Sequence, residues 1–208
     1  MTKKDIVRIA KMLYQKGFLP ATDGNISIRT GKNKIFITPS RMCKGFLKES
    51  DILTVNYDGK VMSAKGTPSI ETKMHIFIYK NRPNVNAIIH AHPPIATTLS
   101  TQGKMLENKS IISCALLGSI PVAPFAMPGT SDVIKAIKPY VKKHNTIVLA
   151  HHGTLTYDGD ITKAYLKTEA LEYLALTHIL AKIIGKTKKL TADKLLKISS
   201  LTKNCPKN

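Results

Sequence analysis

A chain of 208 residues, 43% of them apolar, is long enough for one compact domain with a sizeable core, and no apolar run approaches the roughly 20 residues of a spanning helix. Its first residues form a polar, helix-like pattern and not a signal peptide, so a cytoplasmic protein without a membrane segment is expected. A balance of 32 Lys and Arg against 13 Asp and Glu gives a net charge of +19, a field that draws phosphates of any kind; without aromatic-basic interleaving or a reader motif, nucleic acid is not the expected partner.

Residues 2–16 predict an amphipathic helix: Thr2 and Asp5 make a capping box, Ile6, Ile9, Ala10 and Leu13 share a face, and Gly17 stops it. Residues 26–29 and 34–38 alternate across a turn-prone Thr30-Gly31-Lys32-Asn33 and predict an antiparallel hairpin; 52–56 and 61–62, around Asp58-Gly59, predict a second. Ser69 is placed to cap a helix running to about Asn81, and Arg82-Pro83 then leads into an apolar strand ending at His92. A short helix from Ile95 and a loop-rich piece with Pro121, Pro124, Pro128 and Gly129 follow. Ser131 is read as the cap of a helix toward Tyr140, 146–151 as an apolar strand, and Asp160 as the cap of a long helix ending at Gly185. Antiparallel hairpins mixed with covering helices predict one α/β or α+β layered sandwich, read as a single α/β domain over 1–185 and followed by a basic, lysine-rich segment at 186–208.

Chemistry-bearing residues fall at the junctions of this scheme. His90 and His92 are two apart on a strand and share a face, and Pro93-Pro94 ends that strand just beyond them, so the pair stands at its mouth. Two readings follow: a metal grip, or two buried histidines with satisfied N–H groups. His151 and His152 end the later strand and point to opposite faces, so at most one joins the pair, and His75 and His178 read as core or surface residues. Glu71, in Pro68-Ser69-Ile70-Glu71 at a helix start, either answers the helix dipole or aims at the metal. Three imidazoles and a carboxylate close a tetrahedral zinc shell, and a carboxylate that swings away opens a catalytic position; manganese, cobalt and iron also accept these ligand types. Asp23-Gly24-Asn25 is either an ordinary turn or an anion loop, and Thr38-Pro39-Ser40-Arg41 offers hydroxyls and a guanidinium to a phosphate. Cys43, Cys114 and Cys205 are spread, odd in number and without Cys-x-x-Cys spacing, so structural thiols are expected.

Taken in order, Asp23-Gly24-Asn25-Ile26-Ser27, Thr38-Pro39-Ser40, Pro68-Ser69-Ile70-Glu71, the run 82–94, the run 119–125 and His151-His152-Gly153 resemble the motifs of the class II aldolase/adducin family, from the first helix to about Gly185. Six motifs in sequence carry the resemblance, which is nearest the family's sugar-phosphate aldolase branch. It implies a central, mainly antiparallel sheet covered by helices. It also implies Zn2+ held by His90, His92 and His152, with Glu71 as fourth ligand at rest and general acid/base once substrate displaces it. Phosphate would rest on Gly24, Asn25, Ser40 and Ser69. The implied reaction cleaves a ketose 1-phosphate, L-fuculose 1-phosphate-like, to dihydroxyacetone phosphate and a hydroxyaldehyde, in a cyclic homotetramer.

Within the family, glutamate at 71, where related 4-epimerases carry aspartate, points to an aldolase. The three histidines point away from a non-catalytic adducin-like assembly module, which lacks them. A methylthioribulose 1-phosphate dehydratase shares the histidines and the Pro-Ser-x-Glu motif and is the alternative, although Arg82-Pro83 and the run 119–124 favour the aldolase. Two departures stand out. Residues 110–114 read Ser-Ile-Ile-Ser-Cys, without the tyrosine that such an aldolase uses on its leaving aldehyde. Arg41 follows Ser40 where that aldolase has glycine.

Overall fold

Residues 1–63, 66–103 and 116–185, with 190–191, 193–194 and 197–198, are described by the computed structural model. Helix α1 (Lys3–Gln15) opens the chain; Asp5 accepts the Thr2 backbone N–H at 2.7 Å, and the left-handed Gly17 (φ 73°) follows the helix end. The expected hairpins form as β1 (Asn25–Gly31) with β2 (Lys34–Ile37), and β3 (Leu53–Val55) with β4 (Val61–Ser63). Then come α2 (Thr72–Asn81), β5 (Ala87–Ala91), α3 (Pro94–Ser100), β6 (Val122–Ala123), α4 (Ser131–Val141), β7 (Thr146–Leu149), β8 (Gly153–Asp158) and α5 (Ile161–Ile184).

The strands form one sheet in the order β4-β3-β2-β1-β5-β8-β7-β6, antiparallel throughout except for the β6–β7 pair. Helices cover both faces, as period-two alternation in β5 requires. Ile88 joins the core under α2 and α4 with Ile78, Tyr79, Ile137 and Tyr157. Ala87, Ile89 and Ala91 join the opposite core with Ile6, Ile9 and Leu13 of α1 and Ala164 of α5. A third cluster packs α3 on α5 through Ala96, Leu99, Leu171 and Leu174. A strand buried on both faces reads as a continuous apolar run, which is what residues 87–91 show apart from His90.

Three details differ from expectation. Strand β8 was not foreseen, because Gly153 reads as a turn residue and the threonines at 154 and 156 as polar; both are fully buried, with the Thr154 hydroxyl donating to the Ala91 carbonyl and Thr156 bonded to Thr168. Helix α2 starts at Thr72, after a turn in which the Ser69 carbonyl accepts the Thr72 N–H, so Ser69 precedes the helix instead of capping it. Thr130, not Ser131, caps α4 by accepting the Asp132 N–H, while Asp160 caps α5 as expected.

Candidate metal centre and active site

The register of β5 sets the site. His90 lies opposite Asn25 of β1 and Leu155 of β8, in the middle of the sheet, and on the Ile88 face it looks toward the start of α2. His92 follows one residue beyond the strand end, on the same side, because Pro93 and Pro94 turn the chain into α3. The β7–β8 turn brings the third imidazole: Leu149 pairs with Gly153, and the three residues between them include His151 at φ 56°. That left-handed residue leaves His151 exposed against Phe125 and returns His152 to the other two histidines. Glycine is needed at 153, where a Cβ would fall 2.6 Å from the Ala91 carbonyl oxygen and 3.1 Å from His92 Nδ1.

One ligand nitrogen from each of His90, His92 and His152 lies within 4.8 Å of the others, a spacing that fits one metal ion. Their rings are 4.7 to 5.3 Å apart. His90 Nδ1 donates to the Thr154 carbonyl at 3.0 Å and His92 Nδ1 to the His152 carbonyl at 2.8 Å; since a carbonyl only accepts, the proton sits on Nδ1 in each and Nε2 keeps its lone pair. Glu71, outside that group, places its carboxylate beside two of the three imidazoles. Its Oε2 is 3.1 Å from His90 Nε2, its Oε1 is 3.7 Å from His152 Nε2, and Asn25 Nδ2 donates to Oε2 at 2.8 Å.

The donor set fits a cation because it is otherwise unsatisfied. His90 Nε2 and Glu71 Oε1 are buried with no hydrogen-bond partner, and the lone pairs of His90 Nε2 and Glu71 Oε2, 3.1 Å apart, repel unless a positive charge joins them. A proton is disfavoured: burial first, then the neighbouring His92 and His152, holds His90 well below the ordinary imidazole range. Burial also lowers His152, against the pull of Glu71. A metal ion supplies the missing charge without that penalty.

Of the expected anion residues, Gly24 (φ 69°) sits where a Cβ would fall 2.2 Å from Leu19 Cδ2 and 2.8 Å from the His90 carbonyl oxygen. Asn25 is buried and turns its amide to Glu71. Ser40 lies on a loop tied to residues 67–68 by its N–H on the Thr67 carbonyl and by a Pro39–Pro68 bridge, which brings it toward Ser69. The Ser69 hydroxyl accepts the Glu71 N–H at 3.3 Å. Thr38 is wholly buried, and its hydroxyl accepts the Ile26 N–H, a sheet contact. Arg41 is exposed in a left-handed turn (φ 58°). The Ser110–Cys114 stretch, Cys205 and most of the lysine-rich C-terminal segment lie outside the described residues.

Three supports behind the site are invisible in the sequence. Glu172 of α5 accepts the Ile95 and Ala96 N–H groups at 2.9 and 2.8 Å, capping α3 just after His92. Ser27 links His75 Nδ1 and the Tyr79 hydroxyl at 2.6 and 2.8 Å beneath Glu71, and burial pushes His75 down to about 3. Lys44 is buried, its Nζ donating to the Thr22 carbonyl ahead of Gly24 and to the Met42 carbonyl beyond Ser40. Arg82, an aldolase signal in the sequence, donates to the Val141 and His144 carbonyls and to Asn145, closing the C-terminal end of α4.

A helix-covered, mainly antiparallel sheet that gathers three imidazoles near the ends of two strands, with a carboxylate from a helix start beside them, defines a metal-dependent enzyme. Residues 4–179 match the Class II Aldolase and Adducin N-terminal domain, and the chain belongs to that family. It is 34% identical over 180 residues to an L-fuculose phosphate aldolase of Methanococcus vannielii, covering 86% of this chain and 97% of the relative. It is 31% identical over 183 residues to a methylthioribulose-1-phosphate dehydratase of Methylococcus capsulatus, covering 82% and 89%. A solved L-fuculose 1-phosphate aldolase superposes with a TM-score of 0.89 at 29% identity, covering 96% of this chain and 95% of that one. The protein is thus an enzyme of the class II aldolase type, a metal-dependent lyase. No described helix is long and apolar enough to cross a membrane.

Proposed function

We propose that this enzyme is a zinc-dependent aldolase that cleaves a ketose 1-phosphate of the L-fuculose 1-phosphate kind to dihydroxyacetone phosphate and a hydroxyaldehyde. The observation carrying the reading is the convergence of three imidazoles on one another, two of them beside a glutamate that is 6% exposed. His90, His92 and His152 would hold the ion, with Glu71 as a ligand at rest. When bound, the ion supplies Lewis acidity that polarises the ketose carbonyl and stabilises the negative charge left as the carbon–carbon bond breaks.

The remaining work falls to side chains of this chain. Cleavage takes the proton from the hydroxyl of the departing half as it becomes the aldehyde and places a proton on the hydroxyl-bearing carbon of the triose phosphate half; Glu71 delivers the latter, and removes it in the reverse direction, from a position set by Asn25. Its burial beside His90 excludes water from that proton transfer. Gly24 and Asn25 at the start of β1, with Ser40 and Ser69 on loops joined by the Pro39–Pro68 bridge, would bind the phosphate and place the carbonyl against the metal. A cytoplasmic homotetramer belongs to the same reading and rests on the family resemblance.

A second reading, dehydration of methylthioribulose 1-phosphate, is favoured by the Methylococcus capsulatus relative. It uses the same ion and an acid/base to remove water instead of an aldehyde. Zinc-loaded protein is expected to release dihydroxyacetone phosphate from L-fuculose 1-phosphate in a coupled assay, and chelation to stop it. Metal-dependent turnover of methylthioribulose 1-phosphate without triose release would shift the assignment to the dehydratase. No metal-dependent turnover of either would reject both.

A further inference from the structure

Lys44 is 1% exposed, yet among the described residues no carboxylate lies within ion-pair distance of its ammonium group. Nζ donates to the Thr22 carbonyl at 2.6 Å and to the Met42 carbonyl at 2.7 Å. Each acceptor directly follows a residue in the left-handed region, Ala21 at φ 48° and Arg41 at φ 58°. Among the described residues the remaining non-glycine residue at positive φ is His151, at the metal centre. Left-handed backbone is unfavourable for residues with a Cβ and persists where surrounding contacts over-determine it. Here the contact that both turns share is the Lys44 ammonium.

These turns are the two halves of the anion cradle. Thr22 leads directly into Asp23-Gly24-Asn25, and Met42 lies two residues after Ser40. One buried amine therefore spans both halves, and carbonyl dipoles alone offset its charge only in part. Burial lowers the Lys44 pKa from the ordinary lysine value, and Asp23 works against the shift. A buried charge whose nearest opposing charge, Asp23, is not in ion-pair contact is costly, and a phosphate dianion docked on the adjoining loops would relieve that cost.

We propose that Lys44 is the positioning residue of the phosphate subsite: it latches the loop ending in Gly24-Asn25 to the loop carrying Ser40, and its buried positive charge selects phosphorylated over unphosphorylated ketoses. The inference rests on the sugar-phosphate reading above and adds a determinant that the neutral Gly24, Asn25, Ser40 and Ser69 set does not contain. Lys44→Gln removes the charge but keeps an N–H donor for the latch, while Lys44→Arg keeps the charge.

The test compares full-length, metal-loaded wild type, Lys44→Gln and Lys44→Arg, using the ketose 1-phosphate, the same ketose without phosphate, and inorganic phosphate as a competitive ligand. For Lys44→Gln the expected result is a KM for the phosphorylated substrate raised about 10-fold or more, with the inhibition constant of inorganic phosphate rising in step. Its kcat should stay within about 3-fold, and its preference for phosphorylated over unphosphorylated ketose should fall by about 10-fold. Lys44→Arg should recover most of the phosphate affinity. A general structural defect would instead lower kcat and metal content while leaving the phosphate preference alone, and that outcome overturns the proposal. So does unchanged phosphate inhibition in folded Lys44→Gln. If Lys44→Gln fails to fold, Lys44→Arg decides: near-wild-type phosphate inhibition supports the charge, and loss of it overturns the claim. Wild type that turns over no sugar phosphate would defeat the aldolase reading itself and this inference with it, whereas active wild type with indifferent variants defeats this inference alone.

Discussion

Glu71 occupies the first residue before a helix, where a carboxylate usually answers the backbone dipole, yet its side chain turns away from the N–H groups toward His90 and His152. What turns it is a buried neighbour from a distant stretch, the Asn25 amide at 2.8 Å. The Arg29 N–H donates to the Asn86 carbonyl, and ladder alternation then makes the Asn25–His90 pair a hydrogen-bonded one. The Asn25 backbone N–H is thereby spent on the sheet, and its side chain remains for Glu71. Replacing Glu71 by glutamine keeps the shape and the Asn25 bond but removes the carboxylate proposed as proton carrier. Turnover is expected to fall by about 10²–10⁴-fold while zinc stoichiometry and inhibition by inorganic phosphate are retained. Steady-state kinetics with metal analysis checks this, and undiminished kcat would remove Glu71 from the acid/base role.

Among the elements, α3 and α5 act together behind His92. Helix α3 is a single short piece starting at Pro94, and its first free N–H groups are met by Glu172 from a helix far along the chain. A buried carboxylate accepting two N–H groups stabilises the helix start and, through the rigid Pro93-Pro94 step, the place where β5 stops. Glu172→Ala leaves those donors buried and unpaired, at a cost of about 1–3 kcal/mol. Urea unfolding should report that loss, and zinc affinity should weaken with it because His92 is two residues from the uncapped turn. Stability and zinc affinity both at the wild-type level would show that water replaces the carboxylate without penalty.

At the scale of the whole molecule, burying imidazoles makes stability depend on pH. His75 is fully buried and held neutral, with its pKa pushed from 6.5 to about 3 chiefly by burial. The unfolded chain takes up this proton below about pH 6.5 while the folded chain resists it until about pH 3, so the unfolded state binds more protons in that window. Stability from neutral His75 is therefore complete above about pH 6.5 and falls as the pH drops toward 3, with a limiting slope of about 1.4 kcal/mol per pH unit. Denaturant unfolding of metal-loaded protein between pH 7 and pH 4.5 should show this slope, and His75→Leu should reduce it by about one proton. Equal slopes in the two proteins would mean that His75 is protonated in the fold or reached by water.

Much of this protein is legible in its residues. Local rules place α1, both hairpins, α4 and α5, because caps, period and turn residues act over a few positions. The pattern of His90, His92 and the following prolines reveals a strand ending in two candidate ligands, and the family motifs suggest Glu71 and His152 as their companions. Other features answer only to contacts made across the chain. Strand β8 is polar to the eye and is buried because its threonines find partners in β5 and α5. The direction of Glu71, the choice of His152 over His151, the cap from Glu172 and the burial of Lys44 all join residues separated by long stretches of chain, where hydrogen bonding and exclusion of water decide and local spacing carries no information.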